Sequence, residues 1–413
     1  MSRPRRSGGG QGSAGRVLGP RAGGRIALAG LLVAASAGLM SGCGGAGASL
    51  DEPQAVEQTA GPGRLLASTA LLRFGIPAVR EALAALGERV PALEPRWEVE
   101  THRLEYLSTD VDGREIRVSG LLAVPLKPAG ARSPVLSYQH ATIFRDEEAP
   151  SLAVVADAPP VVMASLGYIV LAADYVGYGV SKGTPHPYLL SVPSASAVVD
   201  LLTAGRTWRL QRRLASNGQL FMAGYSEGGY VTMAAHRALQ SGAAAPAAEL
   251  VAVAPGAGPF DLGVTLDVLL RRVKDQNAFL GALIDPGFLS KLPSSLRDEV
   301  RRALVRELIP DDADVAFDTK FIDAFLADDR ALIERQSNVH DWAPAVPVHL
   351  FHGRDDQTVP YAASESAHAA MRARGAGAVS FDTCTATPAG HKDCVPQFWQ
   401  LMVQRLGALA RDL

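Results

Sequence analysis

The chain has 413 residues, 47% of them apolar and 6% aromatic, enough to bury a large core and too apolar for a disordered chain. Its 40 Lys and Arg balance 42 Asp and Glu to a net charge of −2, so neither a nucleic-acid footprint nor an acidic interaction tail is indicated. There are only 3 cysteines, and no C-x-x-C or histidine cluster has metal-ligand spacing; neither a metal nor a cofactor is expected.

The chain begins with Arg3, Arg5, Arg6, Arg16, Arg21 and Arg25 and no acidic residue. An apolar run from Ile26 to Met40 follows, then Ser41-Gly42-Cys43. A basic start, a short apolar stretch and small residues predict an export signal over residues 1–42. The apolar run falls short of the roughly 20 residues a membrane span needs. Met40-Ser41-Gly42-Cys43 resembles a lipobox, which implies lipidation at Cys43 and an N-terminal membrane anchor in the cell envelope. The plainer alternative is an ordinary cleaved signal and a secreted protein. Residues 43–63 lack apolar periodicity and predict a tether. Leu65, Leu66, Leu71, Leu72, Ile76, Val79, Leu83 and Leu86 recur at helical intervals, so two helices broken near Pro77 are expected over residues 64–90.

Alternating strands are expected at Trp97–Leu107 and Glu115–Pro125, joined by a turn at Asp112-Gly113. Ser133–Gln139 and Gly167–Asp174 are apolar enough for central parallel strands buried on both faces. A helix over about Val192–Leu210 leads to the strand Gln219–Ala223. Then comes Gly224-Tyr225-Ser226-Glu227-Gly228-Gly229, followed by a helical run Tyr230–Leu239. A G-x-S-x-G between strand and helix predicts a nucleophile elbow: small residues admit a tight turn that exposes the serine hydroxyl and frees the next backbone N–H for an oxyanion. The bland alternative is a turn rich in small residues. Strands recur at Ala248–Ala254, Val346–Phe351 and Ala378–Phe381. Between them, about residues 260–344 hold helical stretches at Leu266–Asn277, Pro293–Leu308 and Phe317–Gln336. Asp311, Asp312 and Asp314 lack the spacing of a calcium loop and predict a solvated helix start.

Beyond the elbow, Val346–Pro360 is a strand running into an acidic turn, and Thr387–Cys394 is a loop carrying His391. Serine, acid, histidine in that order is the order of the α/β-hydrolases. Over roughly residues 97 to 413 the chain resembles an α/β-hydrolase of the serine esterase and lipase group, in particular the secreted bacterial and fungal lipases with a G-Y-S-x-G-G elbow. The resemblance implies a mostly parallel central sheet flanked by helices, with a helical cap inserted at about residues 260–344. The catalytic domain would then span residues 64–413.

The same resemblance supplies roles. Ser226 is the expected nucleophile and His391 the base, in preference to His368; His349 and His352 lie too early in the chain. Asp355 and Asp356 compete as the acid, and families with H-G-x-x-D-x-x-V-P use the position that falls on Asp356. The Glu227 N–H and that of Thr142, in Gln139-His140-Ala141-Thr142, would hold the oxyanion, with Ala141 standing where the family usually has glycine. His140 is expected to brace that loop, and Tyr175, in Asp174-Tyr175-Val176-Gly177-Tyr178-Gly179, to line the pocket. With Cys43 lipidated, Cys384 and Cys394 remain as a pair around the His391 loop, which an oxidising compartment would bridge. The expected activity is hydrolysis of small-molecule or lipid carboxylic esters through an acyl-enzyme. A peptidase or amidase on the same fold is the alternative, and a non-catalytic binding protein a further one.

Overall fold

The computed structural model describes residues 59–242, 245–276 and 288–413. The expected signal, Cys43 and the tether up to residue 58 lie outside the described residues, as does Asn277 at the end of one expected helix. In chain order the main elements are β1 (Leu65–Phe74), α1 (Ile76–Leu86), β2 (Val99–Thr109), β3 (Glu115–Pro125), β4 (Ser133–Gln139), α2 (Pro159–Ser165), β5 (Ile169–Ala173) and α3 (Ser191–Gln211). Then follow β6 (Ser216–Tyr225), α4 (Glu227–Ser241), β7 (Leu250–Gly256), α5 (Leu262–Gln276), α6 (Ser294–Leu308), α7 (Lys320–Leu326) and α8 (Arg330–Gln336). The chain closes with β8 (Val348–His352), α9 (Tyr361–Ala373), β9 (Val379–Thr383) and α10 (Val395–Gly407).

The strands form one sheet in the order β1-β2-β3-β5-β4-β6-β7-β8-β9. β1, β2, β3 and β5 pair antiparallel in that sequence, and every pair from β5 through β4 to β9 is parallel. β4 and β5 are buried along their whole length, as strands covered on both faces must be. Alternation within β6 shows the two layers: Leu220 and Met222 join a core with α3 and α4, while Phe221 and Ala223 join one with α1, α2 and α10. The register Gln139↔Gly224, Tyr225↔Gly256, Gly256↔Phe351 and His352↔Thr383 brings the carboxyl ends of β4, β6, β7, β8 and β9 to one edge. That edge is where an open parallel sheet collects its ligands.

One expectation fails at the N-terminal end of the domain. In place of the first of two helices over residues 64–90, Leu65–Phe74 is a strand, and only Ile76–Leu86 is an α-helix. The leucine doublets that read as helical spacing do not mark a buried stripe, since Leu72 is half exposed. The free main-chain groups of β2 decide the matter: β1 satisfies them along an edge that would otherwise stay open. Where the pairing slips between Ala70 and Arg73, Thr101 patches it, its hydroxyl accepting from Leu72 N–H at 3.0 Å and donating to Leu72 O at 2.8 Å. Gly63 already donates to Leu107 O at 2.7 Å, which anchors the chain to the sheet at the end of the expected tether.

The helical block between β7 and β8 is present as α5, α6, α7 and α8. Asp311, Asp312 and Asp314 do not start a helix; they lie in a turn between α6 and α7. Asp312 pairs with Arg145 at 2.6 Å and Asp314 with Lys182 at 3.2 Å, and Asp314 also accepts from Asp146 N–H at 2.8 Å. The acidic run thus fastens the inserted helices to the loops that follow β4 and β5. A second tie lies nearby, where His186 N–H donates to Ala316 O at 2.7 Å and Asp318 N–H to His186 O at 2.8 Å.

Candidate active site

β6 ends at Tyr225 and α4 begins at Glu227, so the single residue Ser226 makes the whole turn. It does so at φ +60°, a left-handed conformation that costs a non-glycine residue about 1–3 kcal/mol. Neighbouring small residues permit it: a Cβ on Gly228 would lie 2.1 Å from Gln139 O, inside the β4 backbone. Ser226 N–H donates to Gly256 O at 2.9 Å, which pins the turn to β7.

Ser226 Oγ lies 2.9 Å from His391 Nε2, and His391 Nδ1 lies 2.6 Å from Asp356 Oδ2. The structure thus brings together three residues that stand up to 165 positions apart. The two acids next to β8 separate clearly. Asp356 is buried and faces His391, whereas Asp355 is exposed and accepts from Ala389 N–H at 2.9 Å, holding the loop before His391. Asp356 Oδ1 accepts from Thr358 N–H at 2.8 Å and Val359 N–H at 2.9 Å. Burial pushes the Asp356 carboxyl up, but hydrogen bonds from His352 and His391 override it and hold the group well below the usual carboxylate range. It is ionised whenever the imidazole needs it.

His352 lies too early in the chain for the expected base, and it has no access to the cavity: it is fully buried. Yet its Nε2 lies 3.0 Å from Asp356 Oδ2 and 3.0 Å from Val359 O, with Ser364 Oγ at 2.7 Å from Nδ1. Both Nε2 partners accept, so Nε2 carries the hydrogen, and Nδ1 shares its hydrogen bond with the Ser364 hydroxyl. This second histidine on the acid was missed; the H-x-x-x-D spacing, used only to choose the aspartate, carried the signal. Tyr225 was missed too. Its hydroxyl donates to His391 O at 2.7 Å, and burial raises its pKa far above the ordinary tyrosine value. His368 packs near Phe381 instead, with ring centroids 5.8 Å apart.

The loop after β4 lies across from the elbow. Thr142 shares the wall of a cavity of about 280 Å³ with Ser226, Glu227 and His391, its hydroxyl 3.3 Å from that of Tyr188. Leu189, Val359 and, from the inserted block, Thr265 and Leu308 complete much of that wall. Tyr175 is not part of it. This residue is buried, with φ +69°; its ring stacks on His140 at 4.0 Å and its hydroxyl donates to His140 O at 3.2 Å. An Asp-Tyr turn held by Ser119 and Ser151 on Asp174 directs the ring inward, so Tyr175 braces the loop rather than lining the pocket. Among the described residues, no group of His, Cys, Asp or Glu is arranged to hold a metal ion. Cys384 and Cys394 are bridged, with Cα atoms 5.8 Å apart, around the His391 loop.

A strained serine at a strand-to-helix turn, hydrogen bonded to a histidine that is hydrogen bonded to a buried aspartate, is the arrangement of a serine hydrolase. The family model described as serine aminopeptidase S33 matches residues 161–384, more than half of the chain. The chain belongs to that hydrolase family. Among solved structures, a Legionella pneumophila protein is 24% identical, with 83% of this chain and 97% of that one covered at a TM-score of 0.65. The rice cell wall degrading esterase LipA from Xanthomonas oryzae is 22% identical, with 85% and 100% covered at a TM-score of 0.65. The closed state of Candida antarctica lipase A is 16% identical, with 80% and 78% covered at a TM-score of 0.51. These likenesses establish a shared α/β-hydrolase fold. No curated protein sequence matches the chain.

Proposed function

We propose that the protein hydrolyses carboxylic esters through an acyl-enzyme, with Ser226 as nucleophile, His391 as base and Asp356 as the acid that orients it. The observation that carries this reading is the unbroken chain from Ser226 Oγ through both nitrogens of His391 to Asp356, at 2.9 Å and 2.6 Å. Ser226 Oγ attacks the ester carbonyl carbon while His391 Nε2 takes the hydroxyl proton. The carbonyl electron pair moves to oxygen, where the Glu227 and Thr142 N–H groups receive it. Collapse expels the alcohol, which takes the proton from His391. Water then repeats the sequence on the acyl-enzyme and releases the acid. Asp356 keeps the imidazole in the Nδ1–H tautomer and stabilises its charged form.

An ester is favoured over a peptide by the cavity wall, where Leu189, Leu308 and Val359 offer apolar contact. A volume of about 280 Å³ falls just below the usual range of ligand sites, roughly 300–1,000 Å³, and suits short to medium acyl groups. The family description keeps an amidase in view, and exposed Glu307 on the cavity rim is the acid that a substrate ammonium would meet. Export fits this chemistry: the signal over residues 1–42 would deliver the enzyme, and lipid on Cys43 would tether it to a membrane. The Cys384–Cys394 bridge suits an oxidising compartment.

Ser226→Ala should lower kcat by roughly 10⁴–10⁶-fold, and a fluorophosphonate probe should label wild type at Ser226 alone. p-Nitrophenyl esters should turn over much faster than aminoacyl anilides. Labelling elsewhere would overturn the nucleophile, and faster anilide turnover would promote the amidase.

A further inference from the structure

Glu227 has a side chain that the chemistry above leaves idle. The residue is buried, its Oε1 lies 2.7 Å from His186 Nε2, and its Oε2 has no hydrogen-bond partner. His186 is equally buried, and its Nδ1 lies 2.9 Å from Val176 O. A backbone carbonyl only accepts, so Nδ1 carries a hydrogen. A neutral imidazole has one ring N–H; with it on Nδ1, the Nε2 lone pair would face a carboxylate oxygen. The contact therefore requires a second proton between the two residues.

The surroundings say where that proton resides. The ring of His186 has Tyr178 at 5.1 Å, Phe317 at 5.5 Å, Tyr175 at 5.9 Å and Tyr188 at 6.0 Å between centroids. The face of an aromatic ring within about 6 Å attracts a cation, and Tyr175 lies stacked on the imidazole with an interplanar angle of 16°, whereas a carboxylic acid gains nothing from it. A carboxylate beside the oxyanion would, uncompensated, oppose the charge that develops on the substrate. In a site closed to water that opposition is felt at close to full strength.

We propose that His186 is a buried imidazolium that neutralises Glu227 and thereby lets the residue carrying the oxyanion N–H be acidic without opposing catalysis. This rests on the reading of Ser226 as nucleophile and of the Glu227 N–H as oxyanion donor. His186 touches no reacting atom; it is a positioning and charge-compensating residue. Its backbone is bonded to Ala316 and Asp318, so the same residue joins the elbow to the inserted helices.

The test uses the full protein as wild type, H186Q, E227Q and H186Q/E227Q, with ester kinetics per fluorophosphonate-titrated site. H186Q strands the carboxylate and should lose about 10–10²-fold in kcat with little change in KM, by the electrostatic reasoning for oxyanion sites. E227Q removes the charge and should lose less than about tenfold, and the double variant should return to within about threefold of E227Q. A double variant no better than H186Q overturns the proposal, because loss of shape alone would not be rescued by removing the acid. Nitrogen-15 NMR of wild type decides the matter even if H186Q fails to fold. One histidine should show both ring nitrogens protonated and lose one proton in E227Q; a bare ring nitrogen on that histidine in wild type overturns the proposal. Activity persisting in Ser226→Ala would instead remove the reading beneath it, a separate outcome.

Discussion

Replacing Asp356 by asparagine keeps the side-chain shape and reverses its hydrogen-bond sense where it matters. Oδ1 receives two backbone N–H groups, from Thr358 at 2.8 Å and Val359 at 2.9 Å. An amide NH₂ placed there would oppose two backbone N–H groups that cannot give up their hydrogens, whereas the imidazoles at Oδ2, His352 at 3.0 Å and His391, can shift theirs; the asparagine oxygen therefore takes the Oδ1 position and its NH₂ the place of Oδ2. That NH₂ then faces His391 Nδ1, which lies 2.6 Å from Oδ2 in the native protein. The imidazole can accept only by moving its hydrogen to Nε2, and with a hydrogen there it cannot take the Ser226 proton. A wrong tautomer of this kind costs about 10⁴-fold in kcat, or about 5 kcal/mol at 1.36 kcal/mol per decade. KM for a p-nitrophenyl ester should change little, since the cavity wall is untouched. Asp355→Asn is the control. Its oxygen can still accept from Ala389 N–H, so the loss should stay under about tenfold, the scale of one exposed hydrogen bond. Asp356→Asn within tenfold of wild type, or Asp355→Asn the more damaging, would refute the assignment of the acid.

Across p-nitrophenyl esters of graded length, kcat/KM should rise by at most about 0.8 kcal/mol per methylene, then fall once the cavity is full; an unbroken rise to long chains would show that the site is open-ended. Cys384→Ser/Cys394→Ser should destabilise the fold by about 2–3 kcal/mol in denaturant melts, as closure of a loop of this length implies, and lower kcat through the His391 loop. Buried His236, edge-on to Trp342, has its pKa pushed from 6.5 to about 3 by burial, so the unfolded chain binds a proton there that the folded protein refuses. Stability from this site is complete above pH 6.5 and declines as pH falls toward 3; in His236→Phe the fall of Tm over that window should be shallower. Intact mass of a membrane fraction should show loss of residues 1–42 and lipid on Cys43, and a wholly soluble protein with unmodified Cys43 would refute the anchor.

Much of the sheet was legible because its signals are local. The largely apolar β4, the wholly apolar β5, alternating β2 and β3 and the Asp112-Gly113 turn each state their own conformation within a few residues. The elbow was legible for the same reason, since small residues around Ser226 are a steric requirement. β1 was not, because its conformation is set by a partner strand some thirty residues away, and its leucines also satisfy a helical spacing. Tyr175 illustrates the limit for sites: a motif places the residue near the pocket, but only the Asp174 turn and the His140 ring determine which way it points. His186 left no trace near Ser226 in the sequence, because it reaches Glu227 across 41 positions.

The three central groups differ in how firmly the fold holds them, and the ties follow that difference. Ser226 is fixed by a strand and a helix that meet at it, and Asp356 by two backbone N–H groups and His352. His391 sits on a loop, the mobile kind of segment, yet it must stay within hydrogen-bond reach of both neighbours. Three independent ties compensate. Tyr225 holds the His391 carbonyl from the end of β6, Asp355 holds Ala389 from the turn after β8, and the Cys384–Cys394 bridge closes the loop at its base. Gly353 allows the loop to come this close, since a Cβ there would lie 2.2 Å from Ala389 O and 2.7 Å from Cys394 Sγ. Two of these ties start beside the residues that His391 must reach. A displacement of β6 or of the turn after β8 therefore carries His391 along with it, which preserves the relative geometry better than rigidity of the loop alone would.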